Sequence, residues 1–110
     1  MEKVLIIGAS GFLGQKLMSC LSTSFEVIGT SYSQSGEQTR VLDITNLQRV
    51  KEVIEEINPS IVIVTAVFAN MDRCETEKAA ALETNVNGIK NVVEYCQDRL
   101  FVYYSSDAIF

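Results

Sequence analysis

The sequence contains no histidine, a single proline (Pro59) and three cysteines, and its 9 basic residues are outnumbered by 14 acidic ones. Each shortage closes off a class of function. Cys20, Cys74 and Cys96 are odd in number and far apart in the chain, with no C-x-x-C pair. Without histidine they offer neither a disulfide framework nor a zinc site, and no metal is expected. A reducing, cytoplasmic setting follows. A net charge of −5 without any basic cluster argues against nucleic acid as the main partner, because phosphate backbones are held by patches of Lys and Arg. No apolar run approaches the roughly 20 residues that cross a bilayer. Nor does the N-terminus read as a secretory signal, since Val4–Ile7 leads straight into glycines. No membrane partner is expected. With one proline, no repeat and no low-complexity tract, no linker divides the chain, and one domain is expected.

What is present is a balanced globular composition, 47% apolar and 21% charged over 110 residues. A chain of this length buries roughly two-thirds of the surface its unfolded form exposes. Strand and helix patterns alternate from end to end. Lys3–Ile7 is an apolar, β-branched run, and Leu13, Leu17, Cys20 and Leu21 behind it recur at helical spacing, predicting a short helix with Cys20 as a small core residue. Phe25–Ser31 reads as a second strand and Arg40–Leu42 as a short third. Thr45-Asn46-Leu47-Gln48 has the form of a capping box with Thr45 as the cap. Leu47, Val50, Ile54 and Ile57 then step along one face of a helix that ends near Asn58-Pro59. The nearly unbroken apolar stretch Ser60–Ala69 predicts a central parallel strand covered on both faces.

After a polar turn at Asn70–Glu75, Leu82, Val86, Ile89, Val93 and Cys96 form one stripe of a long helix. Ala81, Asn85, Gly88 and Val92 form a second line beside it, whose small residues would let the helix lie close to the sheet. Asn85 either ties backbone groups together or touches a ligand. Asp72 and Glu75 in the polar turn most simply solvate the helix start. Leu100–Tyr104 is a fifth strand, running into Ser105-Ser106-Asp107. This alternation predicts an α/β fold: a doubly wound, Rossmann-type parallel sheet of about five strands with right-handed crossovers and helices on both faces. Ligands in such sheets bind at the carboxyl ends of the strands.

At the end of the first strand stands Gly8-Ala9-Ser10-Gly11-Phe12-Leu13-Gly14, glycines three apart between a strand and a helix. Glycine supplies the positive φ of a tight turn, lets a phosphate group approach the backbone and lets helix and strand pack closely. Free N–H groups at the helix start would face the anion. The spacing is G-x-x-G-x-x-G rather than G-x-G-x-x-G, so it points to a phosphate seat without naming the ligand.

The glycine turn, Leu42–Asn46 (LDITN), Pro59–Glu75 (PSIVIVTAVFANMDRCE), Asn85-Val86-Asn87-Gly88-x-x-Asn91 and Tyr104–Phe110 (YSSDAIF) together resemble the extended short-chain dehydrogenase/reductase superfamily. Within it they resemble the dTDP-4-dehydrorhamnose reductase family, across essentially the whole chain and in the right order. The resemblance implies a nucleotide-sugar reductase that passes hydride from NADPH to a dTDP-4-keto-6-deoxy sugar. An epimerase or dehydratase of the same superfamily is a second option. A third is a non-catalytic dinucleotide-binding subunit similar to the regulatory β subunit of methionine adenosyltransferase. By position, Gly8, Ser10, Gly11, Phe12, Leu13 and Gly14 would surround the cofactor pyrophosphate. Asp43 and Ile44 would flank adenine, the Asp43 carboxylate accepting from its exocyclic amine; the plainer alternative for Asp43 is a turn residue. Ala66, Val67 and Phe68 would line the passage to the nicotinamide ribose, with Thr65 and Val67 departing from the run of alanines in many relatives. Asn85 joins the cofactor set.

NAD-preferring folds place Asp or Glu at the end of the second strand, where this chain has Thr30, Ser31, Tyr32 and Ser33. Nothing there repels a 2′-phosphate and the hydroxyls of Thr30 and Ser31 could donate to it, so NADP(H) is favoured over NAD(H), although the nearest cation in sequence is only Arg40. Ser106 aligns with the catalytic Ser or Thr of the family. No Tyr-x-x-x-Lys pair occurs in the 110 residues; the nearest imitation, Tyr95 to Arg99, leads into the amino end of a strand. Residues 1–110 are thus expected to be a dinucleotide-binding domain, incomplete on its C-terminal side and inactive alone. The expected partners are the cofactor and, in the full-length protein, a nucleotide-sugar substrate, with a homodimer as a further option.

Overall fold

The structure, a computed structural model, describes residues 2–9, 12–31, 39–65 and 87–104. Its elements in chain order are β1 (Lys3–Ile7), α1 (Phe12–Leu21), β2 (Glu26–Ser31), β3 (Thr39–Val41), α2 (Leu47–Ile57) and β4 (Ile61–Val64). A helix α3, described over residues 87–94, and β5 (Leu100–Tyr103) follow. All five strands pair in parallel in the order β3-β2-β1-β4-β5. This is the expected Rossmann-type sheet, and the strand order reverses between β1 and β4.

The sheet divides two cores. On one face Leu5, Ile7, Val62 and Val64 meet Leu42, Ile44, the α2 residues Val50, Val53, Ile54 and Ile57, and Val92 with Cys96. Leu5, Val50, Ile54, Val62, Val64 and Val92 expose nothing, and each such side chain stabilises by about 1.5–3 kcal/mol relative to exposure. Burial pushes the Cys96 thiol above its ordinary value. On the other face Val4, Ile6, Ala9, Val27 and Ile63 are covered by Leu17, Met18 and Leu21 of α1, together with Phe25.

Local expectations in each of the three helices are corrected. The face of α1 that packs on the sheet is Gly14, which is buried, with the partly buried Leu17, Met18 and Leu21, while Leu13 is 39% exposed and Cys20 is exposed. Gly14 sets that face: a Cβ there would collide with the Gly8 carbonyl oxygen and the Ala9 backbone, so α1 meets the sheet at its glycine. In α3, likewise, Gly88 and Val92 are buried and Val93 is 45% exposed. The close approach at Gly88 is to Ile44, whose Cγ1 and Cδ1 would lie 2.5 and 2.6 Å from an added Cβ, rather than to a strand. Finally, the N-cap of α2 is Asn46, whose side chain accepts from the Arg49 amide at 3.2 Å. Thr45 instead turns back toward the preceding turn, where its amide and hydroxyl both donate to Asp43 Oδ1, at 3.0 and 2.6 Å. Leu47, the first of the expected α2 stripe, is 41% exposed and Val53 takes its share of the core. The helix ends as expected: Asn58 takes a left-handed conformation (φ 52°, ψ 57°) and its amide reaches the Ile54 carbonyl.

The amino-terminal edge of the sheet is tied by Arg99. Its Nε donates to the Pro59 carbonyl, Nη1 to the Tyr95 carbonyl and Nη2 to Asn58 Oδ1, each at 2.9 Å. The Tyr95–Arg99 pair therefore lies at the edge opposite the strand carboxyl ends, engaged in structure.

Candidate functional site

At the carboxyl edge, β1 runs into Gly8, which has φ +95°, a conformation that side chains rarely adopt. A Cβ on Gly8 would also collide with Thr65 Oγ1. Thr65 directly follows β4, is 3% exposed, and points its hydroxyl at the carbonyls of Ile7 (3.2 Å) and Gly8 (3.1 Å). From the opposite side, the amides of Gly8 and Ala9 both donate to the Thr30 carbonyl, at 2.9 and 2.8 Å. Those two N–H groups are committed to β2 and are not available to an anion. Of the remaining backbone N–H groups, those of Phe12 to Gly14 at the start of α1 are the candidates for that role. Gly8 thus forms the tight turn, and Gly14 permits the close packing of helix on strand, two of the three uses of glycine in a dinucleotide-binding turn. Ser10 and Gly11 lie outside the described residues, as does the Phe12 side chain.

The second part of the edge is the turn after β3. Asp43 Oδ1 is engaged by Thr45, so the turn-forming role set against adenine binding is present, while Oδ2 makes no hydrogen bond to another described residue. Ile44 is buried against Gly88, and its carbonyl accepts from Asn91 Nδ2 at 2.9 Å. The turn is therefore positioned by α3. Thr65 and Asn91 are the two positioning side chains that sequence reasoning did not assign. Thr65 carried a signal in its departure from alanine, and Asn91 in its place within the Asn85–Asn91 run.

Thr30 and Ser31 sit at the end of β2 as expected, but both are buried, at 0% and 3% exposure. The Thr30 hydroxyl has no hydrogen-bond partner among the described residues; its carbonyl, not its side chain, serves the glycine turn. Arg40 is also diverted: its guanidinium pairs with Glu56 at 2.9 Å, in the last turn of α2 and toward the edge away from the glycine turn. Ala66, Val67, Phe68, Asn85 and Ser106 lie outside the described residues. Among the described residues the edge so defined is a dinucleotide-shaped frame: a glycine turn on β1, the end of β2, and an acidic turn after β3, all flanking the point of strand-order reversal where nucleotides bind in such sheets.

Comparison with known proteins agrees with that geometry. A family model described as the RmlD substrate binding domain matches residues 1–110. Among curated proteins, dTDP-4-dehydrorhamnose reductase of Aggregatibacter actinomycetemcomitans is 30% identical over 114 residues, covering 100% of this chain and 36% of the relative. Methionine adenosyltransferase 2 subunit beta of Xenopus laevis is 27% identical, covering 99% of this chain and 34% of the relative. Among solved structures, a hypothetical dTDP-4-dehydrorhamnose reductase from Sulfolobus tokodaii superposes with a TM-score of 0.86 at 33% identity, covering 100% of this chain and 41% of that one. The dTDP-4-dehydrorhamnose reductase of Bacillus anthracis in complex with NADP gives 0.70 at 33% identity, with 84% and 31% covered. The chain spans little more than a third of the length of the curated relatives it matches.

Proposed function

The chain belongs to the RmlD substrate binding domain family, and from that premise we propose that it is the dinucleotide-binding part of a nucleotide-sugar reductase. In the full-length protein it would serve the transfer of hydride to the C4 carbonyl of a dTDP-4-keto-6-deoxy sugar. One observation carries the reading: the glycine turn with positive φ at Gly8 stands at the carboxyl edge of an all-parallel sheet, where the strand order reverses. The assignment of residues 1–110 as one cofactor-binding domain, with substrate-binding portions in the further length its relatives have, is part of the same proposal.

Bound there, NADPH would supply the hydride. The turn from Gly8 to Gly14 would hold its pyrophosphate, with Ser10, Gly11, Phe12 and Leu13 around it. Asp43 would accept from the adenine amine through Oδ2, the oxygen that Thr45 does not engage, with Ile44 beside the ring. Ala66, Val67, Phe68 and Asn85 would form the wall toward the nicotinamide ribose, and Ser106 would hold the substrate oxygen. Preference for NADPH over NADH rests on the lack of an acidic residue at Thr30-Ser31-Tyr32-Ser33 and is supported by the NADP complex of the Bacillus anthracis relative. Cytoplasmic location and a possible homodimer belong to the same proposal; no described helix is long and apolar enough to cross a membrane.

Calorimetric titration of the full-length protein tests the reading. NADPH is expected to bind, and more tightly than NADH; failure of both to bind overturns it. The 110-residue chain, which lacks a Tyr-x-x-x-Lys pair, is expected not to oxidise NADPH in the presence of the keto-sugar. Binding without turnover by the full-length protein would instead indicate a regulatory subunit.

A further inference from the structure

The peptide unit joining Gly8 to Ala9 is held at both ends. Its N–H, on Ala9, donates to the Thr30 carbonyl of β2 at 2.8 Å, and its C=O, on Gly8, accepts from the Thr65 hydroxyl after β4 at 3.1 Å. The Ile7 carbonyl already accepts the Thr65 amide at 2.9 Å, so its need is met by the continuing strand ladder. The Gly8 carbonyl has the Thr65 hydroxyl as its donor among the described side chains. That hydroxyl also fills the space a Cβ on Gly8 would take, so the absent side chain at one position and the hydroxyl at the other are fitted to each other across 57 residues of sequence.

We infer that Thr65 is a positioning residue for the phosphate-binding turn, its buried hydroxyl fixing the plane of the Gly8–Ala9 peptide from which the turn departs. At positive φ a glycine peptide has little steric restraint of its own. If the carbonyl were released, only the Ala9 N–H bond to Thr30 would restrain the plane, and tilting about that bond could turn a carbonyl oxygen toward the place where the turn needs N–H groups for an anion. The hydrogen bond from β4 opposes that rotation in the free protein, so the seat is set before the ligand arrives.

This inference rests on the proposed dinucleotide site, and the test separates the two. The full-length protein and its Thr65→Val, Thr65→Ala and Thr65→Ser variants are titrated with NADPH and with ADP-ribose, which shares the pyrophosphate but lacks the nicotinamide. Loss of the hydroxyl should weaken both ligands to the same extent, by about three- to ten-fold, the equivalent of one ordinary hydrogen bond. Thr65→Ser, which keeps the donor, should bind as the unsubstituted protein does. Thr65→Ala guards against a misfolded valine variant, and thermal unfolding verifies that each variant is folded. Unchanged affinity in the folded variants lacking the hydroxyl, or a serine variant as weak as the valine one, overturns the positioning role alone. Failure of the unsubstituted protein to bind either ligand overturns the proposed function and this inference with it.

Discussion

The turn after β1 and the turn after β3 stand at the same edge of the sheet and are held in opposite ways. Among its described residues the first is held from afar: Thr30 on β2 and Thr65 after β4 grip its backbone, and Gly14 brings α1 down onto it. The second largely holds itself, with Thr45 folded back onto Asp43 and Asn46 capping α2, and one long-range bond from Asn91. A turn gripped from outside can leave its own groups for a ligand but depends on distant residues of fixed shape. A turn that engages its own side chains tolerates change nearby, yet it offers a ligand only what is left over, here one oxygen of Asp43.

The sharpest way to break the contrast is Gly8→Ala. The substitution meets both a disfavoured φ and the Thr65 hydroxyl, and should cost about 2–5 kcal/mol of stability in denaturant unfolding. In a Thr65→Ala background the steric share should be relieved, so that the double mutant is more stable than the sum of the two single effects by about 1 kcal/mol or more. Additive losses would show that the two positions are not fitted to each other. Asn91→Ala should cost about 1 kcal/mol by leaving the Ile44 carbonyl without its side-chain donor. It should weaken adenosine-containing ligands without altering the affinity of the glycine turn for inorganic pyrophosphate. Equal weakening of both would mean that the two turns are not independent.

The smallest effect concerns the helix behind the second turn. Arg49 and, secondarily, Gln48 hydrogen-bond the Glu52 carboxylate and hold it below its ordinary value. A carboxyl lowered on folding contributes stability above its unfolded-state value, and the contribution is lost as pH falls through the folded-state one. Glu52→Gln should therefore lower the melting temperature slightly at neutral pH and leave it unchanged in acid below the carboxylate range; a difference that persists in acid would refute the ion-pair explanation.

Much of this architecture was legible in the residues. The strands were found by their β-branched runs, and the end of α2 by Asn58-Pro59, because these signals act within a few residues. The faces of α1 and α3 were not. Counting apolar residues put Leu13 and Val93 inside, whereas among the described residues the packed positions include Gly14 in α1 and, in α3, the Gly88–Val92 line set beside the main stripe. Glycine adds nothing to a hydrophobic count, yet here it marks where each helix comes closest to its neighbour. The capping box was displaced by one residue: Thr45 and Asn46 both have capping chemistry, and the pattern of residue types does not say that Thr45 turns back to Asp43 while Asn46 takes the Arg49 amide. In the candidate site, the glycine turn and the Asp43 turn were visible as motifs. The diversion of Arg40 to Glu56 and the burial of Thr30 were not, because both depend on how elements distant in sequence come together around short strands.

Arg99 lies far from either turn, but its three hydrogen bonds act as a register stop for β5. The guanidinium fork seats the chain against Pro59 and Asn58 just before Leu100 begins to pair with Ile61. A slip of one residue would exchange Phe101 and Val102 between the two cores and shift every residue after Tyr103 by a step of about 3.3 Å along the strand. The length of strand delivered to the carboxyl edge is thus measured out from the opposite end of the sheet.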